Sequence, residues 1–272
     1  MPDFNIGDIV IRKSYGGDID FKVIDVKAVN GRKSPHYILQ GLFHRIIADS
    51  DGSDLVLQDK RMANHRFQRH CYNAQRLAEM TGMRCRYPLY LRAASRPGKI
   101  LHIDSSENYL EKCLQHYRKN NLDPIGQIVP ESEQPYAAAS LVKTYRPDIV
   151  IFTGHDSLKK DTDTNSLNSY RNSKYYIDSV KEARKVEPDY NRLCIFAGAC
   201  QSFYEGIMNA GANFASSPGR ILINALDPAL VSERVALTDY RRIVTAREVA
   251  GITISGKDGI GGIDTYGRLK WI

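Results

Sequence analysis

Two residues of this 272-residue chain stand where an imidazole and a thiol could act on one another. The run Asp148-Ile149-Val150-Ile151-Phe152 is followed by Thr153-Gly154 and then His155. The run Leu193-Cys194-Ile195-Phe196-Ala197 is followed by Gly198-Ala199 and then Cys200, 45 residues after the histidine. Each is an apolar strand, a glycine turn and a reactive side chain. A thiol with its ordinary pKa of about 8.5 is mostly neutral at pH 7. A neighbouring imidazole can take or share its proton, and a helix beginning just past the thiol favours the thiolate. Residues 202–210 are expected to supply that helix, and Gly198 and Ala199 leave room for a substrate backbone. Taken singly, each residue has a plainer reading. A histidine after a strand packs or caps, and a lone buried cysteine is a small hydrophobe. Cys113 and Cys194 read in that plain way. The pairing of His155 with Cys200 points to nucleophilic catalysis.

The elements that must carry this pair alternate strand and helix. Lys99–Asp104 reads as a buried strand, and Ser105-Ser106-Glu107 then caps a helix with an apolar face of Leu110, Cys113, Leu114 and Tyr117. A strand at Ile125–Val129 and a helix bearing Ala138, Leu141, Val142 and Tyr145 follow, and Pro147 ends that helix. The histidine strand, a helix near 172–186, the cysteine strand, the 202–210 helix and a fifth strand at Arg220–Asn224 complete the series. The glycine-rich last 30 residues read as strands joined by tight turns. Such alternation predicts an α/β fold with right-handed crossovers and a mostly parallel sheet flanked by helices. Reactive groups collect at the carboxyl edge of such a sheet. One crossover sets its two strands side by side, about 4.8 Å apart if adjacent. Upstream, Asp8–Arg12, Phe21–Val26, His36–Leu39 and Asp54–Leu57 are short β-branched runs separated by turn clusters. They predict a small SH3-like β-barrel. The expected division is 1–60 barrel, 61–98 basic helical segment and linker, and 99–272 α/β domain.

Composition excludes whole classes. With 42% hydrophobic and 25% charged residues the chain is neither a disordered tail, a collagen nor a coiled coil. No run approaches the ~18 apolar residues of a membrane helix, and the N-terminus lacks a signal pattern, so a cytoplasmic setting is expected. Five irregularly spaced cysteines with no CxxC pair suit a reducing compartment and make a poor zinc signature. The net charge of +7 is uneven: residues 61–100 hold nine basic side chains and one acid. That stretch suits a solvated arginine-rich face, docking to an acidic partner, phosphate contacts, or cleavage by an arginine-preferring protease, including the protein itself. GKDGIGG near 256–262 lacks the order of a phosphate-binding loop, so neither a nucleotide nor another cofactor is expected.

The blocks ending Gly-His and Ala-Cys resemble the caspase-like group of cysteine peptidases in order, spacing and flanking strands. That resemblance implies a caspase-like sheet, with Cys200 as nucleophile and His155 as the proton donor to the departing amine. It also implies an oxyanion held by the backbone N–H groups of Cys200 and Asp156. Most of the group has His-Gly where this chain has His155-Asp156. The stretches GDIVIRKSYGGDIDFKV, KILHIDSSENYLEKC, IVIFTGHD and FAGACQSF resemble the YabG family of sporulation-specific proteases over essentially the whole length. This narrower resemblance implies an endopeptidase of the mother cell that acts on spore coat and cortex-associated proteins, cuts after arginine and processes itself. An arginine preference requires an acid in the specificity pocket. Asp104 is the candidate, with Asp156 and Asp227 behind it; its plainer role is to cap the next helix. The polar loop 156–172 reads as either a substrate gate or a solvated loop. Two other readings compete. One is a non-enzymatic binding protein that uses the barrel and basic segment to hold RNA or an acidic protein. The other is a metal-dependent hydrolase built on His155, Asp156 and Asp104, which the sequence disfavours because no second ligand has helical spacing to His155.

Overall fold

The computed structural model describes residues 4–27, 35–66, 68, 69, 72 and 94–272. The chain divides into two compact units, Met1–Asn73 and Ala74–Ile272.

The first unit is an antiparallel sheet of five strands. They are β1 (Ile9–Arg12), β2 (Phe21–Lys27), β3 (His36–Gly41), β4 (Ile47–Asp51) and β5 (Leu55–Leu57), in the order β4-β3-β2-β1-β5. Alternation does the work here. Val10, Phe21, Val23, Tyr37, Leu39 and Leu55 turn inward and are buried, and a bulge between Val23 and Asp25 bends β2. A 3-10 turn at Gly52–Asp54 joins β4 to β5, and the Asp54 carboxylate accepts the Ser14 N–H (2.8 Å) and hydroxyl (2.7 Å). Residues 60–66 are helical, and Arg66 pairs with Asp20. Phe67, Cys71, Ala74 and Ala78, which carry the expected helix face further on, lie outside the described residues.

The second unit is the α/β part. The two-residue strand β6 (Ser95–Arg96) precedes the main sheet, which holds β7 (Ile100–Asp104), β8 (Ile125–Ile128), β9 (Ile149–Thr153), β10 (Cys194–Ala197) and β11 (Phe214–Ser216). After β12 (Ile243–Val244) comes β13 (Ile260–Gly262), and the sheet order is β13-β11-β10-β9-β7-β8. All neighbours are parallel except β13 with β11. Short pairs at the end join β14 (Thr265–Tyr266) to β12 and β15 (Lys270–Trp271) to β6. The crossovers are α1 (Glu107–Lys119), α2 (Gln134–Tyr145), α3 (Ser173–Val186) and α4 (Tyr204–Asn209). Helices α5 (Asp227–Leu237) and α6 (Ala246–Ile252) follow β11.

Both sheet faces are covered, so the strands are apolar throughout rather than alternating. Leu101, Ile103, Val150, Phe152, Ile195 and Ala197 meet Ala138 and Val142 of α2 and Tyr176, Val180 and Ala183 of α3 in one buried cluster. Ile100, Ile151, Cys194, Phe196 and Phe214 are buried as well, and α5 packs against β9 and β10. Truncating a ring such as Phe152 or Phe196, both fully buried, costs about 3–5 kcal/mol.

Two local expectations are corrected. Arg220–Asn224 is β-branched but forms no strand of the sheet; the fifth strand is the three-residue Phe214–Ser216. Positive φ angles at Ser217 (65°) and Arg220 (56°) turn the chain out of the sheet, and the apolar run 221–223 then lies across the end of β10. No serine hydroxyl caps α1: Ser106 occupies the N-cap position without a side-chain capping bond, and Ser105 is used elsewhere.

Candidate active site

The register of the central strands sets the geometry. In the β9–β10 ladder Ile149 faces Cys194, Val150 faces Ile195, Ile151 faces Phe196 and Phe152 faces Ala197, a constant offset of 45 residues. His155 and Cys200 keep that offset, so they leave the two strands at one level. Bonds just past the ladder hold it together: Gly198 N–H donates to Phe152 O (3.0 Å) and Thr153 Oγ1 donates to Gly198 O (2.9 Å). Gly198 has φ +108°, which a side chain rarely adopts, and a Cβ there would collide with Ser216 Oγ.

His155 is fixed from several sides. Its N–H donates to Glu131 Oε1 (2.7 Å), and its carbonyl accepts Asn172 Nδ2 (2.9 Å) and the Tyr176 hydroxyl (3.0 Å). The ring lies against Tyr109, with centroids 5.6 Å apart. Nδ1 is 3.3 Å from Glu131 Oε1 and 3.3 Å from Ser105 Oγ, and Ser105 Oγ donates to the same carboxylate oxygen at 2.5 Å. Nε2 is buried and has no hydrogen-bond partner among the described residues. Gln134, the first residue of α2, holds the strand end by donating to Thr153 O (2.8 Å). Glu131 is only partly exposed; burial raises its carboxyl pKa, but the bonds from His155 and Ser105 outweigh this and hold it below the ordinary range.

Cys200 is fully buried. The segment 221–223 runs across it: Gln201 N–H donates to Ile221 O (3.0 Å), Ile223 N–H points at Cys200 Sγ (3.2 Å), and Sγ lies 3.7 Å from Ile223 O. Arg220, at the head of this strap, is held by the Tyr170 hydroxyl (2.6 Å) and by Glu205. The helix past the thiol is short, Tyr204–Asn209, and begins four residues after Cys200.

Asp156 is buried, and its carboxylate is fully engaged. Oδ1 accepts Ser157 N–H and Asn172 N–H, each at 2.8 Å, while Oδ2 accepts the hydroxyls of Ser173 and of Ser202 (3.0 Å). Ser202 Oγ in turn accepts Ala199 N–H (2.9 Å). One side chain therefore ties the histidine turn, the start of α3 and the cysteine turn together. Burial raises its carboxyl pKa, and the hydrogen bonds offset part of that rise.

Asp104 ends β7 and is fully buried, and its Oδ1 accepts Ser106 N–H (2.9 Å) where the chain turns into α1. Asp227 is buried at the start of α5, with the N–H groups of Ile254 (2.7 Å) and Asn224 (3.1 Å) on its carboxylate; burial pushes its pKa up to about 6. Among the described residues, Asp104, His155 and Asp156 do not gather into a metal-ligand cluster. The loop 156–172 folds back on itself through a Leu158–Tyr170 bridge and a bond from Tyr170 to Thr164 O (2.6 Å). Sequence reasoning missed Glu131 and the covering strap. The signal for Glu131 was available: a carboxylate directly after Val129-Pro130, at the carboxyl end of a sheet strand.

An imidazole and a thiol that follow adjacent parallel strands at the carboxyl edge of the sheet are candidates for an acyl-transfer site. Comparison with known proteins agrees on peptide hydrolysis. A family model described as YabG peptidase U57 matches residues 5–272. The sporulation-specific protease YabG of Bacillus subtilis (strain 168) is 38% identical over 281 residues, covering 98% of this chain and 97% of that protein. The chain therefore belongs to the YabG peptidase family.

Proposed function

We propose that this sporulation protease is a cysteine endopeptidase with Cys200 as nucleophile and His155 as its acid–base partner. The observation that supports this reading is the constant 45-residue offset of the two adjacent strands, the same offset that separates His155 from Cys200 just past their ends. Nε2 accepts the Sγ proton, and the thiolate attacks the scissile carbonyl. The backbone N–H groups of Cys200 and Asp156 hold the developing oxyanion, and the imidazolium gives its proton to the leaving amine. Water, deprotonated by His155, then releases the acyl group and restores the thiol. Substrate must displace the strap at 221–223 to reach Sγ.

The substrates in this reading are spore coat and cortex-associated proteins, with the enzyme in the mother cell and at the forming coat. Cleavage follows arginine and includes the enzyme's own chain. Asp104 is the acid for the arginine side chain, a reading supported by the position of β7 next to β9. Its bond to Ser106 N–H supports the simpler role of shaping the turn. Asp104→Asn separates the two, because an amide oxygen still accepts from Ser106 but carries no charge: loss of arginine preference supports the pocket, and unchanged preference refutes it. The catalytic assignment is tested with a peptidyl-arginine chloromethyl ketone followed by peptide mapping. Inactivation with one adduct, on Cys200, supports the assignment, and an adduct elsewhere or none with full inactivation refutes it.

A further inference from the structure

We infer that Glu131 is the third member of the catalytic group, a positioning residue that orients His155 and fixes which ring nitrogen carries the proton. The inference rests on the Cys200–His155 reading above and extends it to a residue that reading does not use. Glu131 follows β8, and its Oε1 gathers three groups of the site: His155 N–H at 2.7 Å, Ser105 Oγ at 2.5 Å and His155 Nδ1 at 3.3 Å. An ionised carboxylate has no proton to give, so the nitrogen facing it must be the donor. Glu131 is held ionised by those bonds, which places the ring proton on Nδ1 and leaves the Nε2 lone pair for the thiol. Among the described residues Nε2 has no partner although it is buried, as expected of an atom reserved for a reacting group.

The surroundings limit the ring's freedom further. Tyr109 packs against the ring at a tilt of 53°, and a Cβ on Gly154 would collide with Ser105 Oγ and with Glu131 Oε1. The carboxylate can approach the histidine backbone this closely only because residue 154 is glycine. Ser105 donates to the carboxylate oxygen that faces Nδ1 and steadies it. When His155 becomes an imidazolium during the reaction, the Glu131 charge stabilises it without accepting its proton.

The test uses the full-length protease and its Glu131→Gln, Glu131→Asp, His155→Ala and Cys200→Ala variants on one protein substrate. Glu131→Gln keeps an acceptor of the same shape and removes the charge. It is expected to lower kcat about 10- to 100-fold with KM unchanged, and to change the pH–rate profile. Glu131→Asp is expected to recover part of the loss. Wild-type kcat and pH profile in Glu131→Gln, with Cys200→Ala inactive, would overturn the role of Glu131 and leave the dyad standing. Proteolysis by Cys200→Ala would overturn both. A second measurement does not need Glu131 to be replaced: nitrogen NMR of histidine-labelled wild-type protein at neutral pH, with the signal assigned by its absence from folded His155→Ala. Protonated Nδ1 is expected for His155, and an unprotonated Nδ1 overturns the inference.

Discussion

Replacing Asp156 should cost stability in proportion to the bonds its carboxylate receives, and the two obvious substitutions should differ. The group is buried and accepts from Ser157 N, Asn172 N, Ser173 Oγ and Ser202 Oγ. In Asp156→Ala these donors lose their acceptor, at about 1–3 kcal/mol for each that stays dry. Relaxation and entering water recover part of that, so a net loss of about 3–5 kcal/mol is expected, against a total of about 5–15 kcal/mol for a typical fold. Asp156→Asn is milder. Its oxygen can keep both N–H groups, and its amide can donate to the two serine oxygens. Each of those already accepts one backbone N–H, from Phe203 to Ser173 (2.7 Å) and from Ala199 to Ser202 (2.9 Å), and has a second lone pair. The neutral amide also avoids the burial that raises the Asp156 carboxyl pKa. A loss of about 1–2 kcal/mol is expected for Asn. Urea unfolding of the three proteins at pH 7 measures both differences, and thermal melting should show Ala lower by on the order of 10 °C. Equal losses below about 1 kcal/mol for both variants would refute the reasoning.

Other outcomes follow from the same geometry. Burial pushes Asp227 to about 6, so the folded chain holds this proton more tightly than the unfolded chain does. Its contribution is fully present below the ordinary 3.8 and is lost as pH rises through 6, a fall of about 3 kcal/mol at about 1.4 kcal/mol per pH unit. The unfolding free energy of wild type minus that of Asp227→Asn should therefore decline between pH 4 and pH 7, and a flat difference contradicts this. Arg220→Ala removes the bonds to Tyr170 and Glu205 that hold the strap. Iodoacetamide should then label Cys200 about 10-fold faster, for about 1.4 kcal/mol of weakened closure. Cys194, whose thiol burial pushes up to about 11, should stay unlabelled; earlier labelling there contradicts the account. Gly154→Ala should lower turnover by at least about 10-fold while the protein stays folded, because its Cβ meets the Ser105–Glu131 contact first. Unchanged turnover in a folded variant would contradict the packing described.

The parallel order and the strands that lead to His155 and Cys200 were readable because both sheet faces are covered, which makes β7, β9 and β10 continuous apolar runs between amphipathic helices. In the N-terminal sheet β1, β2, β3 and β5 were readable from period-two alternation, whereas β4 (Ile47–Asp51), largely exposed, was not singled out. What escaped depends on contacts between distant segments. Phe214–Ser216 is too short to carry a pattern, and 220–224 carries a strand pattern because Ile223 is buried against Cys200 rather than in a ladder. Asp156 departs in sequence from the His-Gly pattern, and its four bonds can be seen only once Ser173 and Ser202 are brought beside it. Ser105 looked like a helix cap because Glu131, 26 residues away, gives no local sign of reaching it.

The most direct measurement is intact-mass analysis of wild-type and Cys200→Ala protein, alone and with an arginine-containing coat protein. The account predicts fragments ending in arginine from the wild type and none from the variant, with both proteins equally folded by circular dichroism. Fragments of the same masses from folded Cys200→Ala would contradict the assignment of the nucleophile.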